Sequence, residues 1–91
     1  MKPTPTPHTQ KIANLIAEHL QPEGWEVGTG DEISVVLFMP DHFNFKTEQE
    51  FFDFIAVYKT LHKVTFIETI EFHFYKGNEW RGGIVMVPKF E

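Results

Sequence analysis

The chain has 91 residues, enough for one hydrophobic core but too few for a separate cofactor domain, and its 42% apolar content with ten phenylalanines is that of a folding chain. It contains no cysteine, which removes disulfides, thiolate catalysis and cysteine-ligated zinc. Thirteen acidic side chains against eight basic ones give a net charge of −5, a field that repels phosphate backbones and makes nucleic acid a poor partner.

Residues 1–7, with prolines at 3, 5 and 7, favour extended geometry and withhold backbone donors, so they read as a flexible Pro/Thr tail before a single α+β domain over 8–91. Thr6 also suits an N-cap, with Pro7 in the first helical position. From His8 to Leu20 the residues Ile12, Leu15, Ile16 and Leu20 recur at helical spacing, with Lys11, Asn14 and Glu18 opposite them. Gln21-Pro22-Glu23-Gly24 stops this amphipathic helix, since proline breaks the ladder and glycine permits reversal. The start of the chain lacks the continuous apolar stretch of a signal peptide, and no run reaches the roughly 18 apolar residues of a membrane span. A cytoplasmic protein with no membrane partner is therefore expected.

Trp25–Val27 and Ile33–Met39 read as strands joined through Gly28-Thr29-Gly30-Asp31. In the second, Ile33, Val35, Leu37 and Met39 share one face, while Glu32, Ser34, Val36 and Phe38 form a mixed one. The glycine pair is no phosphate loop, because a strand follows it rather than a helix N-terminus. After a loop holding Phe43 and Phe45, Thr47 and Glu50 form a Thr-x-x-Glu capping box. Phe51, Phe54, Ile55, Tyr58 and Leu61 then make the apolar stripe of a second helix, widened by Phe52.

Val64–Tyr75 reads as a long strand, with Val64, Phe66, Ile70, Phe72 and Phe74 on one side and Thr65, Ile67, Thr69, Glu71, His73 and Tyr75 on the other. Gly77-Asn78 turns it into a last strand, Trp80–Val87. The interior glycines Gly82 and Gly83 predict a bulge, or room for a large aromatic from the neighbouring strand. The expected fold is an α+β two-layer sandwich of αββαββ order, a four-stranded antiparallel sheet with both helices on one face.

Few residues promise chemistry. Glu71 and His73 project from the same side of one strand and could share a proton or a metal, but zinc needs a third ligand and no His-x-x-x-His or Glu-x-x-His spacing supplies it. Glu68 falls by parity among apolar positions, where burial would raise its pKa and suit it to acid–base work; a bulge or the sheet rim would instead turn it outward. Ser34 lacks a nucleophile elbow, and His8, His19, His42 and His62 are dispersed along the chain. Neither catalytic nor metal residues, nor a cofactor, are assigned.

The functional expectation rests on the helix-free sheet face, where Val36, Phe38, Ile67, His73 and Tyr75 give more apolar and aromatic surface than solvent requires. This predicts a small non-catalytic binding or regulatory protein acting through a protein partner or through homodimerisation, by that face or a sheet edge. One alternative is a small-molecule binder or enzyme with a pocket between helices and sheet, using Glu68 with His62 or Tyr58. Another is an acidic nucleic-acid mimic built on Asp31, Glu32, Glu48, Glu50, Asp53, Glu68 and Glu71.

Overall fold

The computed structural model describes residues 4–88. Helix α1 (Pro7–Leu20) begins at Thr6, whose side chain accepts from Thr9 N at 3.1 Å, with Pro7 in the first turn where its missing N–H costs nothing. The Thr6 N–H in turn donates to Glu32 O at 3.0 Å, so this part of the expected tail is tied to the loop after the first strand. Residues 1–3 lie outside the described residues. A 3-10 turn (Gln21–Glu23) ends on Gly24 at φ +100°, the left-handed reversal that glycine permits.

Strands β1 (Glu26–Thr29) and β2 (Ser34–Phe38) form an antiparallel hairpin, helix α2 (Glu48–Leu61) follows, and β3 (Ile70–Lys76) and β4 (Glu79–Met86) form a second hairpin. The spatial order is β1-β2-β3-β4. The hairpins meet through β2 and β3, which run parallel with Val36 beside His73 and Phe38 beside Tyr75. The sheet is thus mixed, which corrects the all-antiparallel expectation. The segment from β2 through α2 to β3 is a crossover, the connection that parallel neighbours require. The α+β class and the element order stand.

The α2 start shows why the capping box works. Thr47 Oγ1 accepts from Glu50 N at 3.2 Å, while Glu50 Oε1 accepts from Thr47 Oγ1 and from Lys46 N, one residue before the cap. The helix buries Phe51, Ile55 and Tyr58, but Leu61 is 71% exposed and Phe52 45%, so the stripe is narrower than the sequence pattern suggests.

One cluster joins Ile12, Ile16 and Leu20 of α1 and Phe51 and Ile55 of α2 to Val35, Leu37, Phe72, Phe74 and Ile84 of the sheet. Both helices therefore cover the same sheet face. Phe72 and Phe74 are fully buried, each contributing about 1.5–3 kcal/mol of transfer free energy. Phe51 stacks on Phe74 at 4.5 Å and 7°. Gly82 makes this stack possible: its φ is +145°, and a Cβ there would lie 2.8 Å from Phe51 Cε2. A bulge accompanies it, since Tyr75 faces Trp80 while Phe74 faces Gly82. The expected bulge is present, whereas the room that Gly82 leaves is taken by Phe51 of α2 and not by an aromatic of the neighbouring strand.

The strand expected from Val64 begins only at Ile70. Lys63 takes φ +54° and Val64 N donates back to Lys59 O, so the chain is still leaving α2. Val64 and Phe66 are buried all the same, Phe66 packing edge-on against Phe72. Ile67 consequently lies off the sheet, 66% exposed, its N–H held by Nε2 of the buried His8 at 3.2 Å. Glu68 is exposed in the same loop.

Candidate functional site

The uncovered sheet face is ordered by register into rows. Glu26, Phe38, Tyr75 and Trp80 stand abreast across the four strands, followed by Gly28, Val36, His73 and Gly83, and then by Ser34, Glu71 and Val85 on β2 to β4. The first row is aromatic: Phe38 and Tyr75 stack at 5.2 Å and 30°, and Trp80 is 56% exposed. The second is flat at both ends, because glycine stands at each. Only Val36 and His73 rise from it.

The third row carries a polar chain. Ser34 Oγ donates to Glu71 Oε2 at 3.1 Å, and that oxygen lies 3.6 Å from His73 Nε2. Trp80 Nε1–H donates to His73 Nδ1 at 3.3 Å, which requires the lone pair on Nδ1 and leaves the ring proton on Nε2, toward Glu71. Asp31 stands beside this chain. Its carboxyl is held below the usual carboxylate range, chiefly by the Ser34 hydroxyl and then by the Ile33 N–H. A hydroxyl has one proton, so Ser34 serves one of these carboxylates at a time, and in this geometry it serves Glu71.

Of the residues singled out by sequence, Val36, Phe38, His73 and Tyr75 share this face, and Ile67 does not. Sequence parity missed Trp80 and Val85, both 56% exposed. The signal was present in Gly82-Gly83: a bulge there shifts the parity of the residues before it and turns Trp80 toward Tyr75. Glu71 and His73 do meet, as their spacing implied, but among the described residues no third ligand joins them or any other metal-ligating group.

A second concavity lies on the helical side. An open cleft of about 630 Å3 separates the C-terminal turn of α1 from the flank of α2, with Phe45 and Phe54 in its lining. Here the dispersed histidines partly converge, since His19 and His62 stack at 3.9 Å. Tyr58 OH donates to Leu15 O at 3.0 Å, and His19 Nδ1 contacts both Leu15 O at 2.9 Å and Tyr58 OH at 3.0 Å. Because Leu15 O only accepts, His19 carries its proton on Nδ1. Burial, and secondarily the charge of Glu18, push the Tyr58 phenol up to about 12. The expected pocket between helices and sheet therefore exists with Tyr58 and His62 in it, but Glu68 is not among its lining residues.

Comparison with protein-family models, with curated proteins and with solved structures finds no match. Function is thus read from geometry alone. Among the described residues no helix is long and apolar enough to cross a membrane. The acidic residues that a nucleic-acid mimic would need are divided, with Glu48, Glu50 and Asp53 on α2 and Glu71 on the opposite face of the sheet.

Proposed function

We propose that this chain is a small non-catalytic binding or regulatory protein whose uncovered sheet face receives a protein partner or a second copy of itself. The observation that carries this reading is the row Phe38–Tyr75–Trp80, three aromatic rings abreast with no helix among the described residues over them. Rigid aromatics contribute large contact area at low entropic cost and dominate the energetics of interfaces, whereas a solvated sheet face has no need of them. Val36 and Val85 extend the apolar area, and the Ser34–Glu71–His73 chain gives it a polar flank, the pattern of an apolar centre with a hydrogen-bonding rim.

The face is favoured over the sheet edges for a physical reason. Edge β1 has only four residues, and edge β4 is broken by a bulge and two adjacent glycines, devices that discourage strand addition. Size-exclusion chromatography with light scattering, together with affinity capture, on wild type and Phe38→Glu/Trp80→Glu tests the proposal. Both substitutions lie on the partly exposed face, so the variant keeps its circular dichroism spectrum. Loss of self-association or of a captured partner is expected; an unchanged mass and unchanged capture in the folded variant would remove the face as an interface.

A further inference from the structure

We infer that the cleft between α1 and α2 is a binding site for a small organic cation, an amine attached to an apolar or aromatic body. Its volume of about 630 Å3 lies within the range of about 300–1,000 Å3 typical of small-molecule sites. Its walls are apolar and reach the surface: Val57 is 65% exposed and Leu61 71%, and the half-buried Phe45 and Phe54 offer ring surface in the same lining.

The polar lining selects the charge. Glu23, Glu50 and Asp53 line the cleft, and among the described residues no lysine or arginine does. Of the other polar groups, Tyr58 and His19 are acceptors toward a guest, and His62 offers one lone pair beside one N–H. The Tyr58 proton is used on Leu15 O and the His19 Nδ1 proton on Leu15 O and Tyr58, which leaves the His19 Nε2 lone pair. A guest with an apolar body therefore fits best if its polar end donates hydrogen bonds and carries positive charge, as an ammonium does, with the aromatic rings adding cation–π attraction. An anion of equal size would face three carboxylates, with the His62 ring N–H as the one side-chain donor to set against them.

Two-dimensional NMR titration of the full chain with phenylbutylamine, phenylbutanol and phenylbutyrate, which share one apolar body, tests this at low ionic strength. The amine is expected to bind with a Kd of roughly millimolar or tighter, given the ligand's size, and about tenfold more tightly than the carboxylate, shifting the amides around Tyr58 and Leu61. Glu23→Gln/Asp53→Asn, both exposed positions, brings the amine down to the affinity of the alcohol, and Leu61→Lys, which places a cation in the cleft, abolishes amine binding. Equal affinities for amine and carboxylate, no shifts at these amides, or an unaffected double variant would each overturn the inference. So would a basic amphipathic peptide that binds there more tightly than the amine, since the occupant would then be a partner segment. Because these residues lie on the side of the core away from Phe38 and Trp80, failure here and failure of the sheet-face reading are separate results.

Discussion

Replacing Gly82 by alanine adds one methyl group at the most constrained point of the fold. Two costs arise together. At φ +145° the backbone occupies a region that is essentially glycine's alone, and holding an L-residue there costs about 1–3 kcal/mol. The new Cβ would also sit 2.8 Å from Phe51 Cε2 and 3.5 Å from Cδ2. Phe51 cannot retreat, being 1% exposed and stacked on Phe74 at 4.5 Å, so the overpacking adds about 1–3 kcal/mol. The combined loss, about 2–6 kcal/mol, is a large share of the roughly 5–14 kcal/mol expected for a domain of this length. Gly28→Ala is the control: nothing lies within 4 Å of the added Cβ, and removal of unfolded-state freedom should leave stability unchanged or raised by up to about 1 kcal/mol. Urea unfolding of both variants, and of Gly82→Ala combined with Phe51→Leu, separates the terms. The double variant should lose less than the two single losses together, because the shorter side chain removes the clash. Equal midpoints for Gly82→Ala and Gly28→Ala, or strictly additive costs in the double variant, would refute the reasoning.

Tyr58 makes a prediction at high pH. Its phenol is raised from 10.0 to about 12 in the folded chain, so its stabilising contribution is complete below the unfolded pKa near 10 and is lost as pH rises toward 12. A tyrosinate absorbance titration should show one late step, absent in Tyr58→Phe; a wild-type titration without that step would contradict the buried hydrogen-bonded phenol. Lys76 makes a prediction about the loop after β2. Its Nζ donates to Pro40 O at 2.7 Å and Phe43 O at 2.6 Å, pinning the segment that carries Phe43 and Phe45. Lys76→Met should cost about 1.5–3 kcal/mol and speed amide exchange at Phe43, whose N–H bonds Pro40 O; unchanged exchange there would show that the loop holds itself.

The helices were legible because their signals are local. Thr6-Pro7 and Thr47-x-x-Glu50 set the starts, Gly24 sets one end, and the burial of Ile12, Ile16, Phe51 and Ile55 follows from spacing alone. The strand pairing was not, because alternation tells which face a residue occupies and nothing about which strand lies beside it. Two hairpins can meet edge to edge in several ways, and only the observed one makes β2 and β3 parallel neighbours. A trace of this was present: Val35-Val36-Leu37-Phe38-Met39 is apolar on both faces, as befits an interior strand beside a parallel partner, and unlike an antiparallel strand with one wet side. Ile67 was misplaced for a related reason. The alternation of Val64, Phe66 and Ile70 is that of a strand, yet the chain is still turning out of α2, and burial of Val64 and Phe66 comes from capping the core rather than from pairing.

Both candidate surfaces follow from where the topology places its two helices. Helix α1 lies over β1 and β2, while α2, carried by the crossover, contacts β4, stacks Phe51 on Phe74 of β3 and sets Phe54 edge-on to the same ring. With strands about 4.8 Å apart and a helix about 10 Å across, two helices can roof four strands only if they lie side by side and share the seam evenly. Here the seam near the C-terminal end of α1 is filled by long side chains, Tyr58 bonding Leu15 O across it and His62 stacking on His19, and these side chains line the cleft. Since both helices are committed to that one side, no regular element among the described residues remains to cover Phe38, Tyr75 and Trp80. The aromatic row is therefore exposed because of chain economy, but chain economy does not explain its being aromatic: Thr, Lys or Glu at those three positions would satisfy the same backbone. The proposed contact role of the sheet face rests on that difference between what the fold leaves uncovered and what it leaves uncovered in aromatic form.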